Sequence, residues 1–216
     1  MKSIRHIKKT LDIPVLGEVE MLWPSGDKHL YKWAHQVAHS DAAIKACKKR
    51  RVCVQAGGAC GIWPLYLSKF FDTVITFEPF RDNFQALVWN CAEADNIIPI
   101  NAALGDRNGM GAAHWQQGHE ANFGAQFVGD GKDFLLTRLD DFHIQNCDLL
   151  IFDLEGFEGK AFRGAERTIK ENMPVILYEE CGHVKRFGET NEGIASLFSG
   201  YNRLSKTRDD VLLVPA

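Results

Sequence analysis

Two short apolar runs that end in acids constrain this chain most. Leu149–Phe152, within CDLLIFDLEG, and Val175–Tyr178, within PVILYEE, place apolar side chains on successive residues. A strand sends neighbouring side chains to opposite faces, so such a run is apolar on both. That pattern belongs to a parallel strand covered on both sides.

The rest of the chain supplies the cover. RRVCVQ is a short β-branched stretch that ends in AGGACG and is followed by a helix over 62–70, with Pro64 tolerated in its first turn. TVITFEP is the next strand. Segment 81–94 has Phe84, Leu87, Val88 and Cys91 at helical spacing. NIIPINAAL is a third strand, and its internal Pro99 directs it to a sheet edge. Residues 105–133 are Gly-, His-, Gln- and Asn-rich and form a loop or hairpin insertion, with DFLLTRL extended after it. The spacing predicts one helix over 157–171, with Phe157, Ala161, Phe162, Ala165 and Ile169 inward, and a last helix capped by Thr190 or Asn191. The tail, YNRLSKTRDDVLLVPA, is a strand pair. Segment 27–48 places Leu30, Trp33 and Val37 on one helical face. The expected organisation is one domain over 1–216, a helical N-terminal extension (1–49) followed by an α/β core (50–216).

Composition removes several classes. Lys plus Arg is 25 against 28 Asp plus Glu, so general attraction to nucleic acid or anionic membrane is not expected. No apolar run is long enough to span a bilayer, and the basic N-terminus lacks the apolar core of a signal peptide. The six cysteines form no C-x-x-C pair and sit in apolar stretches, which suits buried thiols in a reducing cytoplasm.

Ligands on an open parallel sheet bind at the carboxyl ends of its strands. Gln55 to Gly61 follow a strand and open a helix, so backbone amides face a ligand there. The turn is neither a P-loop nor G-x-G-x-x-G, because Gly57, Ala59 and Gly61 fall two apart. Glu78 ends the next strand, 21 residues after Gly57, where a carboxylate accepts bonds from ribose hydroxyls. Pro79 and Phe80 beside it offer an apolar wall for a base.

QAGGACG, FEPFRDNFQAL, NAALGD, TRLDDF, DLLIFDLEGFEGKAFRGAERTI and PVILYEE, in this order, resemble the FkbM-type methyltransferases, over roughly 50–180. The resemblance implies a Rossmann-like class I methyltransferase fold: a seven-stranded, mostly parallel sheet with helices on both faces and a terminal antiparallel hairpin. It implies S-adenosylmethionine (SAM) as cofactor and S-adenosylhomocysteine as product, with no metal expected. Gly57, Gly58, Ala59 and Gly61 would line the methionine end, Glu78 would hold the ribose, and Asn101 and Ala102 would sit beside the adenine. Asp153, Glu155 and Glu158 match the family's acidic string. The chain departs from it at Gln55, where aspartate is usual, and at Ala59, where asparagine is common. Gln55 keeps an acceptor but brings no charge to the methionine ammonium.

Among the three acids, Asp153 is expected at the reaction centre, as cofactor contact and base, with Glu155 and His183 as further catalytic candidates. Part of the acidic string should cap the following helix. Asp153 with Glu179 and Glu180 is the weaker alternative, an oxygen-ligand metal set. His114, Trp115 and His119 lie in the insertion, where an acceptor would be recognised. The expected reaction is O-methylation of a sugar or other hydroxylated small molecule. The rivals are a non-catalytic SAM-binding module and an NAD-dependent oxidoreductase.

Overall fold

A computed structural model describes residues 5–28, 30–115, 118, 122–180, 182–206 and 209–216, without the side chains of 30–33 and 206. His119 and Cys181 lie outside the described residues, as do the side chains of Leu30 and Trp33. Val37 is fully buried.

Strands β1 (His6–Ile13) and β2 (Gly17–Pro24) form an antiparallel hairpin. A 3-10 helix (Leu30–Ser40) and α1 (Asp41–Ala46) follow. Next come β3 (Val52–Ala56), α2 (Ile62–Leu67), β4 (Thr73–Phe77), α3 (Arg81–Asn90) and β5 (Ile97–Ile100). Then come β6 (Ala102–Leu104), β7 (Gly109–Trp115) and β8 (Gln126–Thr137), and β9 (Cys147–Phe152), α4 (Glu158–Arg163) and α5 (Glu166–Asn172). The chain closes with β10 (Val175–Glu179), α6 (Asn191–Ala195), β11 (Tyr201–Lys206) and β12 (Asp210–Pro215).

The main sheet has seven strands in the order β11-β12-β10-β9-β3-β4-β5. The pairings β10–β9, β9–β3, β3–β4 and β4–β5 are parallel, and β12 runs antiparallel to both neighbours. From β3 the chain winds outward to β5, then returns to the other side of β3 as β9. The switch point therefore lies between β3 and β9. Leu149, Ile151, Val175 and Leu177 pack on one face with Ile44, Leu67 and Leu87 from α1, α2 and α3. Leu150, Phe152, Ile176 and Tyr178 pack on the other with Ala161, Ile169 and Ile194 from α4, α5 and α6. Burial of alternate residues on opposite faces accounts for the unbroken apolar runs.

Several expectations change. The described part of 1–49 is helical only over Leu30–Ala46; a hairpin precedes those helices. Leu11, Ile13, Met21 and Trp23 are buried at alternate positions, the period of a half-buried hairpin, and join the core beside Cys53 and Leu87. The buried stripe of α3 is Asn83, Ala86 and Leu87, with Cys91 beyond; Val88 and Trp89 are 42% and 45% exposed. The helix expected over 157–171 breaks at Gly164-Ala165, where a β-carbon on Gly164 would lie 1.9 Å from the Gly105 carbonyl oxygen. Its five inward residues are nonetheless all buried. Pro99 does lie on the edge strand β5, but Ala102–Leu104 leave that strand and pair with β8 in a separate three-stranded sheet.

Candidate functional site

β3 ends in a tight turn. Gly57 has φ +90°, and a β-carbon there would lie 2.1 Å from the carbonyl oxygen of Asp153. Asp153 in turn donates its amide to Ala56, at 3.1 Å. Glycine at 57 thus lets the first residue past β9 lie against the first residue past β3.

The turn's amides do not wait for a ligand, contrary to the sequence expectation. Gly57 and Gly58 both donate to the Phe77 carbonyl at 3.0 Å. Ala59, itself at φ +44°, donates to Glu78 Oε2 at 2.8 Å. What remains for a ligand is a smooth surface of small residues.

A cavity of about 450 Å³ opens over this turn, within the usual range for a small-molecule or cofactor site. Gly57, Gly58, Ala59 and Glu78 line it, as do Pro79, Ala102, Asp153 and Glu155. Among the described lining residues there is no Lys or Arg, while Glu78, Asp153, Glu155, Glu179, Asp209 and Asp210 all contribute.

Glu78 is 2% exposed, and its Oε1 accepts from the Phe80 amide at 2.9 Å. Each carboxylate oxygen thus holds one backbone amide, and the Asn83 side chain also bonds the group. A carboxylate has about four lone-pair sites, so room remains for a ligand hydroxyl. Burial pushes its pKa up to about 8 against the opposing amide bonds. Asp153 has solvent access, yet the surrounding protein and then the Asp210 charge raise it to about 6. Water in the open site limits that rise; a ligand that expels the water strengthens it. Glu155, at φ +55°, is pushed to about 8 by burial, then by Asp153 and Glu158.

The other expected residues sit around this cavity rather than on it. Gln55 is buried and its Oε1 accepts from Thr76 Oγ1 at 2.6 Å. Gly61, at φ +95°, caps α2. Asn101 donates to the Glu78 and Pro79 carbonyls at 2.8 and 3.2 Å, tying two strand ends together. None of the three is a lining residue. Glu158 is fully buried and accepts from the Leu154 and Gly156 amides, so it braces the loop before α4. His183 Nδ1 lies 3.2 Å from Oε2 of the lining residue Glu155, and His183 is not itself a lining residue. Glu180 is paired with Arg203 at 3.1 Å, so the Asp153–Glu179–Glu180 set does not assemble. His114 bonds the Asp130 carbonyl, and neither it nor Trp115 lines the cavity.

Sequence reasoning missed the cover. Gln36 and His39 reach the cavity from the N-terminal 3-10 helix, and Asn83, Phe123 and Gln126 close another side. Asn83 Nδ2 donates to the Phe123 carbonyl and to Gln126. Asp210 arrives because β12 is reversed: its first residue pairs with Glu179, the last of β10. His39 Nδ1 lies 3.2 Å from Asp210 Oδ2. Only that reversal was legible as a signal, in the expected terminal hairpin.

A seven-stranded sheet with one reversed strand, a small-residue turn at its switch point and an acid ending the next strand define a Rossmann-like class I methyltransferase fold. Residues 56–204 match the Methyltransferase FkbM domain, and the chain belongs to that family. An FkbM methyltransferase from Methylobacillus flagellatus KT is 18% identical with a TM-score of 0.51. The match covers 77% of this chain, which spans only 44% of that one. The putative methyltransferase yhhF from Escherichia coli aligns at TM-score 0.56 and 13% identity, over 96% of this chain and 98% of that one. The Pyrococcus abyssi tRNA (uracil-54, C5)-methyltransferase, solved with S-adenosyl-L-homocysteine, aligns at 0.53 and 14%, over 97% of this chain and 43% of that one. No curated protein matches the chain in sequence. The fold is thus shared with an RNA methylase, and it does not by itself select an acceptor.

Proposed function

We propose that this chain is a SAM-dependent methyltransferase acting on a hydroxyl oxygen of a sugar or another small polar metabolite. The observation that carries this reading is the cavity at the switch point, with Glu78 and Asp153 lining it beside the bare turn of Gly57 and Gly58. The residues fit the cofactor: Glu78 has carboxylate lone pairs for the ribose hydroxyls, Pro79 and Ala102 give apolar surface for the adenine, and Asp153 brings negative charge for the methionine ammonium.

Bound SAM supplies a methyl group already activated on sulfonium sulfur. The chain must then align the acceptor oxygen, keep bulk water away and receive one proton. Asp153 is placed to receive it. Glu155, beside Asp153 on the same wall, is raised to about 8 by burial and then by the Asp153 charge, so the two acids hold a proton between them near neutral pH. His183 acts on Glu155 rather than on the acceptor.

The acid-rich lining supports a small acceptor over nucleic acid, whose phosphates call for Lys and Arg contacts. No helix of the described residues is long and apolar enough to cross a membrane. Five described cysteines are buried free thiols, which supports a reducing cytoplasmic setting. The N-terminal hairpin shares its core with the main sheet, which supports a single domain.

Calorimetric titration with SAM, S-adenosylhomocysteine and NAD tests the cofactor. Binding of the first two without NAD is expected; NAD binding alone overturns the reading. Transfer of a labelled methyl group from SAM to fractionated metabolites then identifies the acceptor. Cofactor binding with no transfer to any fraction would leave a binding module.

A further inference from the structure

From the placement of Glu155, Glu179 and His183 we infer a binding site for a divalent first-row transition ion at the acceptor end of the cavity. One donor atom from each lies within 4.8 Å of the others. All three side chains are half-buried, and Glu155 and Glu179 also line the cavity that Asp153 enters. The site rests on the proposed methyl transfer only for its purpose, not for its ligands.

The ligand set decides the ion. Two carboxylates and one imidazole mix hard oxygen with borderline nitrogen donors. Calcium and magnesium favour oxygen alone, whereas manganese and zinc accept imidazole beside carboxylate. Metal–ligand bonds of about 2.0–2.2 Å set tetrahedral ligands about 3.3–3.6 Å apart. His183 Nδ1 and Glu155 Oε2 already stand at 3.2 Å, and a carboxylate rotation that draws Glu179 inward by about 1 Å closes the site. An organic ammonium would be served by carboxylates alone and gives no role to the imidazole nitrogen.

The fold holds two of these ligands in place. Gly156 stands at φ +101°, and a β-carbon there would lie 2.6–2.8 Å from the backbone and β-carbon of His183. The segment carrying His183 therefore seats directly on the turn carrying Glu155. Glu179 comes from the end of the neighbouring strand β10. Three different segments thus converge on one point beside Asp153. Arg186 donates to the Glu155 carbonyl at 3.1 Å, and its charge also reaches the Glu155 carboxylate, which pairs with His183.

Three protein ligands leave coordination positions open toward the cavity. An acceptor that offers two neighbouring hydroxyl oxygens can fill them. Such a site selects vicinal diols and polyols, and it gives the acceptor a cationic anchor that the described lining otherwise lacks. Its substrate class is therefore a polyhydroxylated small molecule.

The test uses the full chain freed of metal with a chelator, then titrated with MnCl₂ and, separately, ZnCl₂. One ion per chain is expected by calorimetry. Pulsed electron paramagnetic resonance of bound Mn²⁺ should show coupling to one imidazole nitrogen. Glu179→Gln and His183→Gln should each weaken Mn²⁺ at least about tenfold, and His183→Gln should erase the nitrogen coupling. S-adenosylhomocysteine affinity is measured on the same metal-free samples. Cofactor binding with no Mn²⁺ or Zn²⁺ binding overturns the metal site, leaves the methyltransferase reading intact and returns these side chains to an ion pair facing a cationic acceptor. Metal binding without cofactor binding does the reverse. Metal bound with no nitrogen coupling, and equally well by both variants, overturns the site as placed here. Circular dichroism of each variant checks that the fold persists.

Discussion

The Asp153 carbonyl oxygen lies 2.1 Å from the position a β-carbon on Gly57 would take, and this contact closes the switch point of the sheet. Gly57→Ala must therefore shift the Asp153 backbone and also hold an L-residue at φ +90°. A cost of about 2–4 kcal/mol is expected from overpacking and the left-handed conformation together. In thermal unfolding this is a fall of roughly 5–15 °C for a chain of this size. Gly109→Ala, with nothing within 4 Å, is the comparison. Equal melting temperatures for the two variants would contradict the close contact.

Glu78→Gln keeps an acceptor for one of the two amides and removes the charge. Above the raised pKa of Glu78, about 8, S-adenosylhomocysteine affinity is expected to fall about 10- to 150-fold, the loss of a charge-assisted bond of about 1.5–3 kcal/mol. Titration calorimetry reads this directly. An unchanged dissociation constant with an unchanged circular dichroism spectrum would remove Glu78 from the ribose.

Asp153→Asn should lower turnover by about 10²–10⁴-fold, the usual contribution of a positioned base, with a much smaller effect on cofactor affinity. Helix capping is not a rival role, because α4 begins five residues later, at Glu158, with Phe157 at its N-cap. Turnover and cofactor affinity measured on one preparation separate the cases. Near-normal turnover would exclude Asp153 as the base, and equal losses in both would leave it the cofactor contact alone.

Stability should fall as pH rises from about 4.5 to about 8. Glu78 and Glu158 are raised in the folded chain, to about 8 and about 7, burial being the first cause in each. Over that window the folded state binds more protons than the unfolded state, so ionisation favours unfolding. One unit of pKa difference corresponds to about 1.4 kcal/mol, so denaturant midpoints should show a loss of at least that order between pH 5 and pH 8. Glu158→Gln should flatten the slope, whatever its offset. A midpoint that rises across this range would refute the raised values.

The doubly covered sheet was legible because Leu149–Phe152 and Val175–Tyr178 are apolar at every position, and strand geometry leaves one way to bury both faces. Gly57 and Glu78 were legible because strand-end positions follow from counting along those strands. The N-terminal hairpin was not read, since its alternation of Leu11, Ile13, Met21 and Trp23 competes with charged residues on the open face. Asn101 looked like a base-binding residue from its place after β5, yet its amide closes two carbonyls that no local pattern announces. The partners of Glu155 were equally hidden. His183 and Glu179 meet it only because β9 and β10 lie side by side and Gly156 admits the segment that follows. Sequence spacing determined which residues reach the carboxyl edge of the sheet. Strand order, the reversal of β12 and close backbone packing decided which of them face one another, because those contacts join residues tens of positions apart.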